Sequence, residues 1–184
     1  MKVLMSHAVA SQEGSLSNFG LLIAYVLPGF TALQGLPFLS HAAASWGTGG
    51  LDQCPSVTSF LSGTVEALAV GLTVSTVRWL LIDALHHRTG IRPPAWDFAR
   101  LEKNVGAFEY LVQVHYRYYK FYANMVVALA WAFVAGGYAQ GWRGLVYWLL
   151  AGLFLIASRD ALRKYYERAG QLLRPRAEAA IDAG

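Results

Sequence analysis

Apolar residues run through this chain in long blocks, and the polar residues between them are bunched rather than alternating. No charged residue occurs between Glu13 and Asp52, and none between Lys120 and Arg143. Blocks of that length, rich in Leu, Ala, Val and Phe, match the ~20 residues a helix needs to cross a ~30 Å hydrocarbon layer. The pattern predicts four spans, at about 19–39, 57–83, 121–139 and 143–159. A β-barrel is disfavoured, because its strands alternate apolar and polar residues and these runs are continuously apolar. Pro28-Gly29 falls near the middle of the first span and predicts a kink there. The fourth span has only fifteen uncharged residues between Arg143 and Arg159, short but sufficient if both arginines extend toward the interfaces. Ala42-Ala43-Ala44 resembles a signal-peptidase site, and cleavage there would leave three spans. The apolar run before it is longer than the ~7–15 residues of a signal core, which favours four.

The pattern changes between the second and third spans. Thr89-Gly90 is a helix stop and Pro93-Pro94 a helix start. From there Phe98, Leu101, Val105, Phe108, Val112, His115, Tyr119 and Tyr122 are spaced alternately three and four apart. That is a coiled-coil-like seam with His115 as its strongly polar member. The third helix is therefore expected to begin near Ala95, outside the membrane, with Gly106 as a weak point. The seam needs a partner: the chain's own tail helix at 159–173, or the same helix in a neighbouring subunit. Overall this is an all-α reading, a single four-span domain over 1–176 with a flexible end at 177–184.

Composition sharpens the membrane reading. Hydrophobic residues make up 55% and charged residues 14%, against about 25% charged in soluble domains. Segment 41–56 holds no Lys or Arg, whereas 88–120 holds six and the tail from Arg159 holds six more. The positive-inside rule then puts the 88–120 hairpin, the tail and, with four spans, the N-terminus in the cytoplasm. The net charge of +4 is explained by this bias, so no nucleic-acid partner is called for. Tyr116, Tyr118, Tyr119, Tyr122, Tyr165 and Tyr166 would ring the inner interface; Tyr138, Trp142 and Trp148 would ring the outer one. The lone Cys54 can form no internal disulfide.

Candidate chemistry is concentrated in the second span. Gly63, Ala67, Gly71 and Ser75 recur every fourth residue, a small-residue ladder that lets another helix approach closely. Arg78 projects near the same face, so it points into the bundle. Glu66 lies about 18 Å from Arg78 along the axis, too far for a pair within the helix. Intramembrane charges mark functional sites by default, which makes Glu66 and Arg78 candidates. Asp83, Asn124 and the Arg159-Asp160 pair lie at a similar depth to Arg78. With His115 they form a predicted polar layer at the cytoplasmic mouth, suited to gating, ligand binding or structure. His86, His87, His115 and Arg117 are further candidates on that face. Two adjacent histidines and a carboxylate suggest a metal only weakly, because a helix C-terminus attracts histidines by its dipole alone. No nucleophile elbow, phosphate loop or Cys-x-x-Cys occurs, so no catalytic residue, cofactor or metal is assigned.

Residues 22–30 (LIAYVLPGF) and 78–90 (RWLLIDALHHRTG), with His115-Tyr116-Arg117-Tyr118-Tyr119 and Phe121-Tyr122-Ala123-Asn124, resemble a group of small bacterial multipass proteins. The resemblance implies a four-helix membrane fold and no particular activity. Chains of this size also resemble membrane effectors of bacterial anti-phage systems. Three expectations follow. One is a homo-oligomeric pore or membrane effector controlled from its cytoplasmic face. Another is an accessory subunit that docks a membrane or cytoplasmic partner protein on the basic 88–120 hairpin. A membrane enzyme acting on a lipid-type substrate through Asp83, His86, His87 and His115 is the third reading.

Overall fold

The computed structural model of the protein describes residues 20, 22–38, 57–136 and 142–173. The Ala42–Ala44 site, Cys54, Tyr138 and the 177–184 end lie outside the described residues. Among those described, all regular structure is helical, in four helices, two of them long and apolar.

The first helix, α1, spans Leu22–Leu33 and opens on a π turn, Leu22–Val26. Its cause is Pro28. Proline has no N–H to give to the carbonyl four residues back, and its ring crowds that carbonyl. The ladder therefore widens just before it, and the Ala24 carbonyl is left for another donor.

The second helix, α2, runs through Val57–Arg78, a π turn at Trp79–Asp83, and Ala84–Arg88. It continues five residues beyond the predicted end and stops where the sequence signals it. Gly90 takes φ +94°, a value open to glycine at the end of a helix. The Ile91 N–H then returns to the His86 carbonyl at 3.1 Å.

Pro93-Pro94 keeps Ile91–Asp97 extended, and Asp97 caps the next helix by accepting from the Ala99 N–H at 3.1 Å. The third helix, α3, thus starts at Phe98–Arg100 as a 3-10 turn, slightly later than expected. It continues as Leu101–Leu111, a π turn Val112–Tyr116, and Arg117–Ala135. Asn104 breaks regular geometry (φ −121°, ψ 16°) two residues before Gly106. The fourth helix, α4, is one 32-residue element, Trp142–Leu173, so the predicted last span and tail helix are continuous.

Helix α3 is the spine. Helices α1 and α2 pack together on one part of it, and α4 packs along another. The α1–α2 contact is close. A Cβ on Gly29 would collide with the Ala67 carbonyl, and one on Gly71 with the Tyr25 carbonyl. The seam of α3 finds its partner within the same chain. Leu111 and Tyr119, with Phe108 and Val112 beside them, pack with Ala161, Leu162, Tyr165 and Ala169 of α4. Trp96 from the extended strap wedges between Phe108, Tyr165 and Tyr166, and the Asp97 N–H caps the Leu173 carbonyl at 2.9 Å. The first part of the seam has no such cover: Phe98 and Val105 are 64% and 52% exposed.

The apolar segments of α2 and α4 are buried over only 28% and 17% of their length. Leu61, Val65, Leu72, Leu153 and Ile156 point outward. The core helix of a water-soluble protein buries such side chains; these two helices are long and apolar enough to cross a membrane and present them instead.

Candidate functional site

The π turn in α2 creates the central cluster. On a regular α-helix, residues five apart point about 140° away from each other. Across the wider turn at Trp79–Asp83, Arg78 and Asp83 come together, with Nη1 to Oδ1 at 2.7 Å. Tyr119 of α3 completes the group. Its hydroxyl donates to Asp83 Oδ1 in a short hydrogen bond and accepts from Arg78 Nη1 at 3.2 Å. The guanidinium also lies 5.4 Å from the Tyr119 ring centre. Arg78 is 5% exposed, so a charge held in the interior is balanced on the spot by a carboxylate and a phenol.

A second polar link lies beside the first. His86, buried, meets Ser158 of α4 with Nε2 to Oγ at 3.1 Å, and its ring centre is 6.0 Å from that of Tyr119. Ser158 gives its own proton to the Leu155 carbonyl at 2.8 Å, so the histidine Nε2 is the donor in this pair. Arg78 Nε and His86 Nδ1 are buried without a hydrogen-bond partner among the described residues. Together the two links tie α2 to both α3 and α4.

The remaining members of the predicted layer are spread out. Asn124 is fully buried and donates through Nδ2 to the Ala24 carbonyl at 2.8 Å, the group that Pro28 left without a donor. Arg159 is exposed and donates to the Thr89 carbonyl at 3.0 Å and to its hydroxyl, clamping the turn after α2. Its neighbour Asp160 pairs with Lys164 at 2.7 Å. His115 sits farther along the α3–α4 contact with Nε2 2.7 Å from Arg168 Nη1. Burial and this cation hold the His115 pKa below its ordinary 6.5. Arg117 folds over Gly20, and His87 is exposed.

In the small-residue ladder, Ala67 and Gly71 make the close approach to α1, while Gly63 faces open space and Ser75 is half-buried. Glu66 is half-buried at the edge of the packing face, with no hydrogen bond or ion pair among the described residues. Opposite that face, Thr58, Ser62, Ala69, Thr73 and Thr76 are exposed. With Glu66 at their edge they are spaced four, four, three, four and three apart, a stripe of hydroxyls interrupted by Ala69 along the outer side of an apolar helix. Thr73 and Thr76 return their hydroxyl protons to the Ala69 and Leu72 carbonyls.

Sequence reasoning missed Tyr119 as a partner of the charges, Ser158 as a partner of His86, and the stripe. Only the stripe was readable beforehand, from its spacing. Asp83, His86, His87 and His115 do not converge, and among the described residues no three His, Cys, Asp or Glu side chains gather as a metal site would require. In the Arg78–Asp83–Tyr119 cluster the hydrogen bonds run between its own members, with Arg78 Nε left over, which suits it to holding helices in place. No known protein family, curated protein or solved structure matches the chain.

Proposed function

We propose that the chain is a four-span protein of a bacterial inner membrane, with both termini cytoplasmic, that assembles with copies of itself into a pore or membrane effector controlled from the cytoplasmic side. The observation that carries this reading is Glu66, half-buried where the packing face of α2 meets its outer stripe of hydroxyls, with no hydrogen bond or ion pair among the described residues. A carboxylate facing hydrocarbon is costly, so such groups face water or another helix. The back-bonded threonines tolerate lipid, but Glu66 does not. A ring of copies bringing the stripes together would line a wet path with hydroxyls and one carboxylate per subunit.

The test is subunit number in native-like lipid discs, followed by single-channel recording. A closed ring of three or more copies that conducts, with cation preference lost in Glu66→Gln, supports the reading. A monomer that stays electrically silent refutes it.

A second reading rests on Phe98, Val105 and Tyr110, exposed at 64%, 52% and 63% on the segment proposed to lie in the cytoplasm. Apolar groups in that position suit a docked partner protein. Recovery of a stoichiometric partner at native expression level, lost in Phe98→Ser with Tyr110→Ser, would favour the accessory subunit.

A further inference from the structure

Arg92, in the segment after α2, and Arg159 and Arg163 of α4 line an open cleft of about 330 Å³. That falls within the ~300–1,000 Å³ of small-molecule sites. Its walls include Thr89, Arg92, Arg159, Arg163 and Tyr166, with Glu167 the one acidic residue. Three guanidinium groups against one carboxylate leave a net charge of +2 in this wall (three minus one). The arginines come from two separate elements, the segment after α2 and the outer side of α4, so they border the cleft from two directions rather than line a single helix.

None of them is fully committed to the protein. Arg159 uses two N–H groups on Thr89, of the five a guanidinium carries. Arg163 pairs with Glu167 at 2.7 Å, but both side chains are more than half exposed, and exposed pairs hold weakly. Arg92 is exposed. A planar fork of donors matches phosphate oxygens two at a time, which is why arginine is favoured where a phosphate is held. Tyr166, half-buried in the same wall, offers a ring and a hydroxyl beside them.

We propose that this cleft binds a phosphate ester, with the headgroup of an anionic phospholipid as the source that fits its depth. The depth follows from the membrane placement proposed above: Arg159 stands where the apolar part of α4 gives way to charge. Basic pockets at that level between helices hold acidic headgroups. The bound phosphate would draw Arg159 away from Thr89. Thr89 also donates to the His86 carbonyl at 3.1 Å, so the cleft shares a turn with the buried His86–Ser158 link.

The experiment is calorimetric titration of the full chain in neutral detergent with three probes: short-chain phosphatidylglycerol, short-chain phosphatidylcholine and inorganic phosphate. It is repeated with Arg92→Gln plus Arg163→Gln. Both residues are exposed and cap no helix, so the variant is expected to fold, which its melting curve verifies. Arg100→Gln plus Lys164→Gln, outside the cleft, controls for charge alone. The expected result is saturable binding of phosphatidylglycerol, weakened on the order of 30-fold in the cleft variant and much less in the control. Binding of inorganic phosphate as well would assign a soluble phosphate ester as the source. Equal affinity in the cleft variant, or no preference for phosphatidylglycerol over phosphatidylcholine without phosphate binding, overturns the site. Conductance is not read, so failure of the pore reading leaves this result intact.

Discussion

The two halves of α2 are held to the bundle by opposite means. From Val57 to Val74 the helix relies on the absence of side chains: Ala67 and Gly71 let α1 settle backbone against backbone. From Ser75 to Arg88 it relies on polar groups, with Arg78, Asp83 and His86 reaching Tyr119 and Ser158. The first half is intolerant of added volume where it meets α1. The second depends on each partner being present. In an apolar surrounding both are workable: backbone contact needs no polar side chain, and the buried Arg78 charge is met by the Asp83 carboxylate and the Tyr119 hydroxyl.

The largest effect should come from unbalancing the charged half. Asp83→Ala leaves Arg78 buried without its carboxylate and is expected to lower stability by about 3–5 kcal/mol, read as heat or denaturant unfolding of the solubilised protein. Replacing both, Arg78→Met with Asp83→Leu, should recover most of that loss, since an apolar pair of similar volume is often neutral. If the double variant is as unstable as the single one, the cluster does more than balance a charge.

The apolar half should respond to a single methyl. Gly71→Ala is expected to cost about 1–3 kcal/mol by forcing α1 and α2 apart. Gly63→Ala, on the same ladder but facing open space, should be neutral or stabilising by up to about 1 kcal/mol. Equal effects at the two positions in the melting curve would remove the close α1–α2 contact from the account.

A smaller effect isolates the meeting of the two strategies in α1. Asn124→Ala strands the Ala24 carbonyl and should cost about 1–3 kcal/mol. In a Pro28→Ala background residue 28 regains an N–H for that carbonyl, and the Asn124→Ala penalty should shrink. A double-mutant cycle measures the difference, and strict additivity would break the link.

The smallest is a pH effect at His115. Its pKa is lowered in the folded chain, by burial and then by Arg168, so the folded state resists protonation. Its contribution is fully present above the ordinary value of 6.5 and is lost as pH falls through the depressed one. The melting temperature of the unaltered protein should therefore drop between about pH 7 and pH 5 more than that of His115→Gln.

Much of this architecture was legible in the chain. The apolar blocks located the helices, Thr89-Gly90 and Pro93-Pro94 marked where α2 ends and α3 begins, and the seam periodicity predicted the face that α4 covers. Arg78 was correctly aimed at the interior from its offset to Gly71. The pairings were not legible, for a physical reason. Sequence reasoning assumed 3.6 residues per turn throughout, and on that helix Arg78 and Asp83 point apart. A π turn such as Trp79–Asp83 has no compositional mark; only the one before Pro28 has a visible cause. Tyr119 and Ser158 meet α2 through the way the helices cross, which spacing within one helix does not encode. The seam also told nothing of where α4 stops, so the exposure of Phe98 and Val105 came as a difference.

The π turn at Trp79–Asp83 has a consequence for how this chain tolerates changes in length. A π turn holds one residue more than the α-helix around it. Deleting Leu80 would let the helix close into regular hydrogen bonding, a local improvement in backbone geometry. The residue lost is the one the wide turn absorbs, so the helix beyond it keeps its direction. Asp83, then four residues from Arg78, would stand only about 40° from it and still face Tyr119, and His86 would still face Ser158. A residue removed elsewhere in α2, where no wide turn takes up the difference, would turn everything beyond it by about 100° and carry these groups away from their partners. The helix can spare a residue at the one place where it already carries one too many.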